Sequence, residues 1–260
     1  MCKTTTGNTA SSDRVRQIFP PCAPESNPGK IIRIRVYDPK SLIGSNSDLR
    51  NALTGVQQFY NGLRQTPQLP ADMVNDLTAY TFEVTYTASA PTENEIRQFR
   101  RMDFPVYIFH TPGISANSSS IEEMQTLLER HEISPPIRVR LINDDPNVVV
   151  TTSAGDAYKT IGEDWENQNV LGFGFPGNYY TQGTCHKLGL IKIDAILKNA
   201  SGWNSGADRF RGVVTHELGH MLGLAHVDGT VMNRTYQPGT AQFSVAQIDI
   251  VRDTLKILSP

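Results

Sequence analysis

Cysteine is scarce in this chain, with three among 260 residues, at positions 2, 22 and 185. None lies close enough to another to form a CxxC redox pair or the paired cysteines of a zinc ribbon. Charge of one sign is lacking as well. The 24 Lys and Arg stand against 26 Asp and Glu, for a formal net charge of −2. The basic excess that a nucleic-acid partner or an anionic membrane surface selects is therefore missing. No apolar run approaches the ~20 residues needed to cross a bilayer as a helix. What remains is 38% hydrophobic, enough over this length for one well-buried core with at most a small second lobe.

Residues 1–29 read as a flexible tether. Cys2 heads the polar run Lys3-Thr4-Thr5-Thr6-Gly7-Asn8-Thr9-Ala10-Ser11-Ser12, and the segment closes on Phe19-Pro20-Pro21-Cys22-Ala23-Pro24, a proline density typical of a linker. A cysteine in front of such a tether resembles the start of a mature bacterial lipoprotein. That implies export and membrane attachment through a lipidated Cys2. Cys22 and Cys185 fit either one disulfide or two free thiols.

From residue 30 onward, strand and helix signals alternate. Ile32-Arg33-Ile34-Arg35-Val36 is a clean period-two strand. Asn46 or Ser47 caps a helix carrying Leu49, Leu53, Val56, Tyr60 and Leu63 at helical spacing. Phe82, Val84 and Tyr86 form a second strand, Val106 to Phe109 a third, and Ile137, Val139 and Leu141 another, with more strand signal at Val148 to Val150. Ser118 to Ser120 can cap a helix carrying Met124 and Leu127. The glycine-rich stretch Leu171 to Gly177 reads as a loop, and Leu188 to Ile193 as a strand. A helix is predicted to begin after Asn204-Ser205-Gly206, and a last one to follow the capping box Ser244-Val245-Ala246-Gln247. Strands interleaved with helices place the domain in the α/β or α+β class.

The chemistry is concentrated in Thr215-His216-Glu217-Leu218-Gly219-His220-Met221-Leu222-Gly223-Leu224-Ala225-His226. On a helix, four residues advance about 400°, so His216 and His220 share a face one turn apart and can converge on one metal ion. Gly223 stands where that helix must end, since glycine accepts the positive φ of a helix C-terminus. The chain can then return His226 to the same point. Three neutral imidazoles leave one position of a tetrahedral Zn²⁺ open to water, the mark of a catalytic rather than a structural site. Glu217, beside the first ligand, is the natural acceptor for that water's proton.

These residues resemble the metzincin signature HExxHxxGxxH followed by a methionine turn. Met232 stands shortly after the third histidine, and Tyr236, four residues beyond it, resembles the matrixin version of that turn. The resemblance covers residues 170–260. It implies a metzincin-type zincin fold: a mixed twisted sheet, an active-site helix and a short C-terminal lobe over 224–260. It also implies one catalytic Zn²⁺ on His216, His220 and His226, with Glu217 as general base and then acid. Met232 would be a hydrophobic floor that ligates nothing, and Tyr236 a contributor to the substrate site. The implied reaction is internal peptide-bond hydrolysis by a monomer acting on a protein or peptide, with no nucleic acid, outside the cell or at its surface. The alternative is a non-catalytic zinc-binding or adhesion module on the same scaffold, against which the intact Glu217 argues.

Within this resemblance, Leu171 to Gly177 corresponds to the loop before the edge strand and Leu188 to Asp194 to that strand, along which substrate would lie extended. Residues 30–260 would form the catalytic domain, with 30–103 either part of its upper lobe or an N-terminal pro-segment. Pro21-Cys22-Ala23-Pro24-Glu25 faintly resembles a cysteine switch, with Pro21 where an arginine is expected. Calcium, which matrixins bind, would fall to Asp144, Asp145 and Asp156, whose pattern fits a solvated turn equally well. Only five residues separate His226 from Met232, fewer than matrixins usually have, and Val227 follows the third histidine. His110, His131 and His186 are scattered, and no second metal site is expected from them.

Overall fold

A computed structural model of the chain describes residues 30–110, 123, 124, 126, 127, 130, 169–175, 187–198, 202–234 and 242–259. The three cysteines, His131, His186, the strand signals from Ile137 to Val150, the aspartates at 144, 145 and 156, and Tyr236 lie outside these residues.

Strand β1 (Ile31–Tyr37) alternates as its sequence requires. Ile32, Ile34 and Val36 enter the main core, while Arg33 and Arg35 occupy the opposite face. Helix α1 (Ser47–Gly62) starts where Asn46 accepts the N–H groups of Asp48 and Leu49. It buries Leu49, Ala52, Leu53, Val56 and Tyr60. After it come α2 (Ala71–Thr78), β2 (Thr81–Thr87), α3 (Glu93–Arg97) and β3 (Asp103–Phe109). Then follow β4 (Gly172–Phe175), β5 (Leu188–Lys192), α4 (Ile193–Lys198), α5 (Gly206–Met221) and α6 (Val245–Leu258). The sheet order is β2-β1-β3-β5-β4. The first four strands in that order are parallel, and β4 runs antiparallel to β5. This mixed sheet carrying helices is the α/β architecture that the sequence predicts.

Gly172–Phe175 is a strand, not a loop, and it is the outer strand of the described sheet. Leu188–Lys192 is interior, hydrogen-bonded to β3 on one side and β4 on the other, so it cannot be the edge. Three helices, α2, α3 and α4, escaped the sequence reading, and Ile193, expected to end β5, instead opens α4. The capping box of Thr92 and Glu95 at the start of α3 was a readable signal. Helix α2 buries only Met73 and Leu77, too few apolar positions to show a period.

β3 is buried along its whole length because both of its faces are covered. Phe104, Val106 and Ile108 belong to the main core with α1, α5 and α6, and Tyr107 and Phe109 to a second cluster with Met124, Leu127, Phe173 and Phe175. At the far edge, α1 caps β2. Asn61 exchanges two hydrogen bonds with the Phe82 backbone, and Gln57 Oε1 accepts from the Val84 N–H. Those groups of the β2 edge are thereby closed to another chain.

The first residue of β3, Asp103, sits opposite Arg33 of β1. Its carboxylate accepts from Arg33 Nε and Arg35 Nε, each at 2.8 Å, and from the Arg100 backbone N–H at 2.7 Å. Burial acts to raise its pKa, but the bonds from Arg33, Arg100 and Arg35 outweigh that, and the carboxyl sits below its ordinary value. A depressed folded-state pKa contributes stability above the unfolded value of about 3.9 and loses it as pH falls through the folded one. Asp103→Asn should therefore cost about 1–3 kcal/mol at pH 7. Denaturant unfolding at pH 7 and pH 3 should show that cost shrinking in acid; an equal cost at both would mean the charge contributes nothing.

Candidate metal centre

Helix α5 opens on Ser205, whose hydroxyl accepts the Asp208 N–H at 3.0 Å. Its inner face buries Phe210, Val213, Val214, Leu218 and Met221, which fixes the helix's rotation. From α1, Tyr60 donates its hydroxyl to the Thr215 carbonyl at 2.8 Å. So α1, from the N-terminal part of the chain, holds the turn that carries the first histidine. The helix ends in a Schellman motif. Leu224 N–H donates to Gly219 O and Gly223 N–H to His220 O, both at 2.9 Å, with Gly223 at φ +87°.

The reversal brings His226 back to His216 and His220. The three histidines form a cluster able to hold one metal ion. Nε2 of His220 lies 3.0 Å from Nε2 of His216 and 3.2 Å from Nε2 of His226. The Nδ1 atoms define the protonation pattern. His216 Nδ1 lies 2.8 Å from the Val231 carbonyl oxygen, and His220 Nδ1 lies 2.8 Å from that of Leu224. A carbonyl can only accept, so both Nδ1 atoms carry the proton and both Nε2 atoms turn a lone pair inward. Acceptors facing one another at such distances suit a cation between them. A tetrahedral ion with nitrogens ~2.0–2.1 Å away sets them roughly 3.3 Å apart, so the donor set fits zinc in identity and spacing.

Electrostatics favours the same state. Burial, opposed by the Val231 hydrogen bond and reinforced by His226, lowers the His216 pKa to about 4. Burial, with His216 and His226 adding to it, holds His220 well below its ordinary value. Both imidazoles are thus neutral at physiological pH, the form in which they ligate metal.

Glu217 is buried, with 7% of its surface exposed. It packs against β4. Burial raises its pKa to about 8, against a smaller opposing effect of the Gly174 N–H. The glycines of β4 make this approach feasible. A Cβ on Gly172 would stand 2.8 Å from Leu190 O and 2.9 Å from Glu217 Cγ. A Cβ on Gly174 would overlap the Glu217 carbonyl oxygen and lie 2.7 Å from His220 Cβ. The period-two pattern Gly-Phe-Gly-Phe was the signal available in the sequence. Its glycines face α5, and its phenylalanines fill the second cluster. Gly174→Ala should cost about 1–3 kcal/mol by overpacking and lower hydrolytic activity, because a helix backbone atom must give way. Thermal unfolding and turnover of one preparation check this; an unchanged midpoint with full activity would mean the strand can move off the helix freely.

Met232 is fully buried, with its sulfur against Gly219 on the side of α5 that carries the histidines. His110 pairs instead with Asp194, at 2.9–3.0 Å, and takes no part in the histidine cluster.

An HExxH helix on a mixed sheet, with a third histidine folded back onto it, defines a zinc metallopeptidase. Residues 140–253 match the matrixin family model, so this part of the chain, which carries the three histidines, is similar to the matrixins. Among solved structures, the zinc-dependent peptidase from Methanocorpusculum labreanum (strain Z) aligns with 86% of this chain and 99% of its own at 10% identity. The TM-score of 0.30 is too low for that likeness to carry an argument. A comparison with curated proteins gave no match.

Proposed function

We propose that this protein is a zinc-dependent endopeptidase, with His216, His220 and His226 as its metal ligands and Glu217 as general base and then general acid. The observation that carries the reading is the convergence of three imidazole Nε2 atoms on one point, with the buried Glu217 next to the first of them on α5. A zinc ion held by these three histidines would supply a Lewis acid to polarise a peptide carbonyl and acidify water. Glu217 takes up the proton released by the attacking water and returns it to the departing amine. Its burial, which raises its affinity for a proton, suits that role. The Nδ1 bonds to Val231 and Leu224 keep two imidazoles aimed while the proton moves.

β4 is the strand beside Glu217, and with β2 capped by α1 it is the better edge for an extended peptide to join. Substrate is therefore placed along Gly172–Phe175 rather than along β5. Val227 to Met232, with Tyr236, is read as the methionine turn, with Met232 as an apolar floor. Met232→Leu should retain most activity and cost under ~1.5 kcal/mol. Loss of zinc from that variant would show that the residue does more than fill space.

Residues 30–260 are read as one catalytic domain. Support comes from β1 and β3 at the centre of the sheet and from the Tyr60–Thr215 bond, which favour 30–103 as part of the upper lobe over a removable pro-segment. The enzyme is proposed to be a monomer, extracellular or on the cell surface, with attachment through Cys2. Hydrolysis of peptides blocked at both termini, with and without chelator, tests the activity. Internal cleavage that stops with chelator and returns with zinc is expected. Cleavage confined to free termini would replace the endopeptidase by an exopeptidase, and no cleavage of any peptide would favour a non-catalytic zinc module.

A further inference from the structure

The connection from His226 to Met232 holds only five residues, yet it links the third histidine of the cluster to the methionine packed against α5. Gly229, at φ +72°, makes the turn. Thr230 closes it. Its hydroxyl donates to Val227 O at 2.8 Å and accepts the Met232 N–H at 3.1 Å. Around it, Val227 N–H donates to Met232 O and Asn233 N–H to Thr230 O, each at 2.9 Å. Val231, between Thr230 and Met232, supplies the carbonyl that accepts from His216 Nδ1. One side chain thus ties together the residue that follows His226, the backbone that orients His216, and the methionine packed beneath α5.

We propose that Thr230 is a positioning residue of the metal centre, whose hydroxyl locks the short loop so that His226 and His216 are held in register for one ion. The proposal rests on the zinc reading above. Valine has nearly the shape of threonine but neither donates nor accepts. In Thr230→Val the carbonyl of Val227 and the N–H of Met232 lose their common partner, and the loop samples open forms in which His226 points elsewhere. Apparent affinity falls by the fraction of molecules that remain competent.

Zinc affinity and the rate of zinc release to a competing chelator, measured on the full chain, test this. Thr230→Val should bind zinc roughly 10–100-fold more weakly, the usual effect of losing a residue that orients a ligand, and should release it correspondingly faster. Thr230→Ser, which keeps the hydroxyl, should restore parent affinity, a rescue that a purely space-filling role would not give. Should Thr230→Val fail to fold, Thr230→Ala and Thr230→Ser carry the same comparison, Ala weak and Ser tight. A Thr230→Val protein within twofold of the parent, or a serine variant as weak as valine or alanine, overturns the role of Thr230 and leaves the histidine site standing. If the parent takes up no zinc, or if His226→Ala holds it as tightly as the parent, the reading of the site fails and this proposal with it.

Discussion

Glu217→Gln should keep about one zinc per chain and lose peptide hydrolysis by roughly 10²–10⁴-fold, the range that general acid–base catalysis supplies. Glutamine has the shape of the carboxylate and fits the space beside Gly172 and Gly174, so neither the strand nor the three imidazoles need move. It also removes a buried titratable group whose charged form is disfavoured, which is why its pKa lies near 8. Folding stability should therefore not fall. The measurement is metal content, unfolding midpoint and turnover on the same preparation. A variant that retains zinc and still cleaves at the parent rate would remove Glu217 from the mechanism while leaving the metal site intact.

His226→Ala should behave in the opposite way, losing metal and activity together. Two ligands on one helix turn remain, but the donor that Gly223 and the following residues bring back is gone. Removing a direct ligand should cost more than the roughly 10–100-fold in affinity that loss of an outer partner costs. The loss of activity should be recovered only in part by excess zinc. Titration with zinc in a chelator buffer, with activity followed at each point, separates the two variants. Activity that returns in full at modest zinc would mean that His226 is dispensable as a ligand.

The parts of this site that were legible in the sequence are those governed by local periodicity. His216 and His220 meet because helical spacing puts them on one face. Ser205, Gly223 and the Ser244 capping box marked helix ends because caps use specific side chains at fixed offsets. The β4 glycines were misread as a loop. A strand that must lie flush on a helix gives up its side chains on that face, and half of its apolar alternation disappears with them. The interior position of β5 could not be seen at all, since strand order is decided by pairing between segments far apart in the chain. The burial of Glu217 has the same origin, for it comes from β4, more than forty residues upstream. Thr230 carried no signal, because a threonine in a turn is ordinary until the partners of its hydroxyl are known. Tyr236 lies outside the described residues, and its place near substrate stands on the resemblance alone.

The most direct test of the central claim is anomalous X-ray scattering at the zinc edge from crystals of the full chain grown without chelator. A single peak is expected, ~2.0–2.1 Å from Nε2 of His216, His220 and His226 alike, with the carboxylate of Glu217 nearby but not bound to it. A zinc peak elsewhere, or one held by only two of the three histidines, would contradict the account.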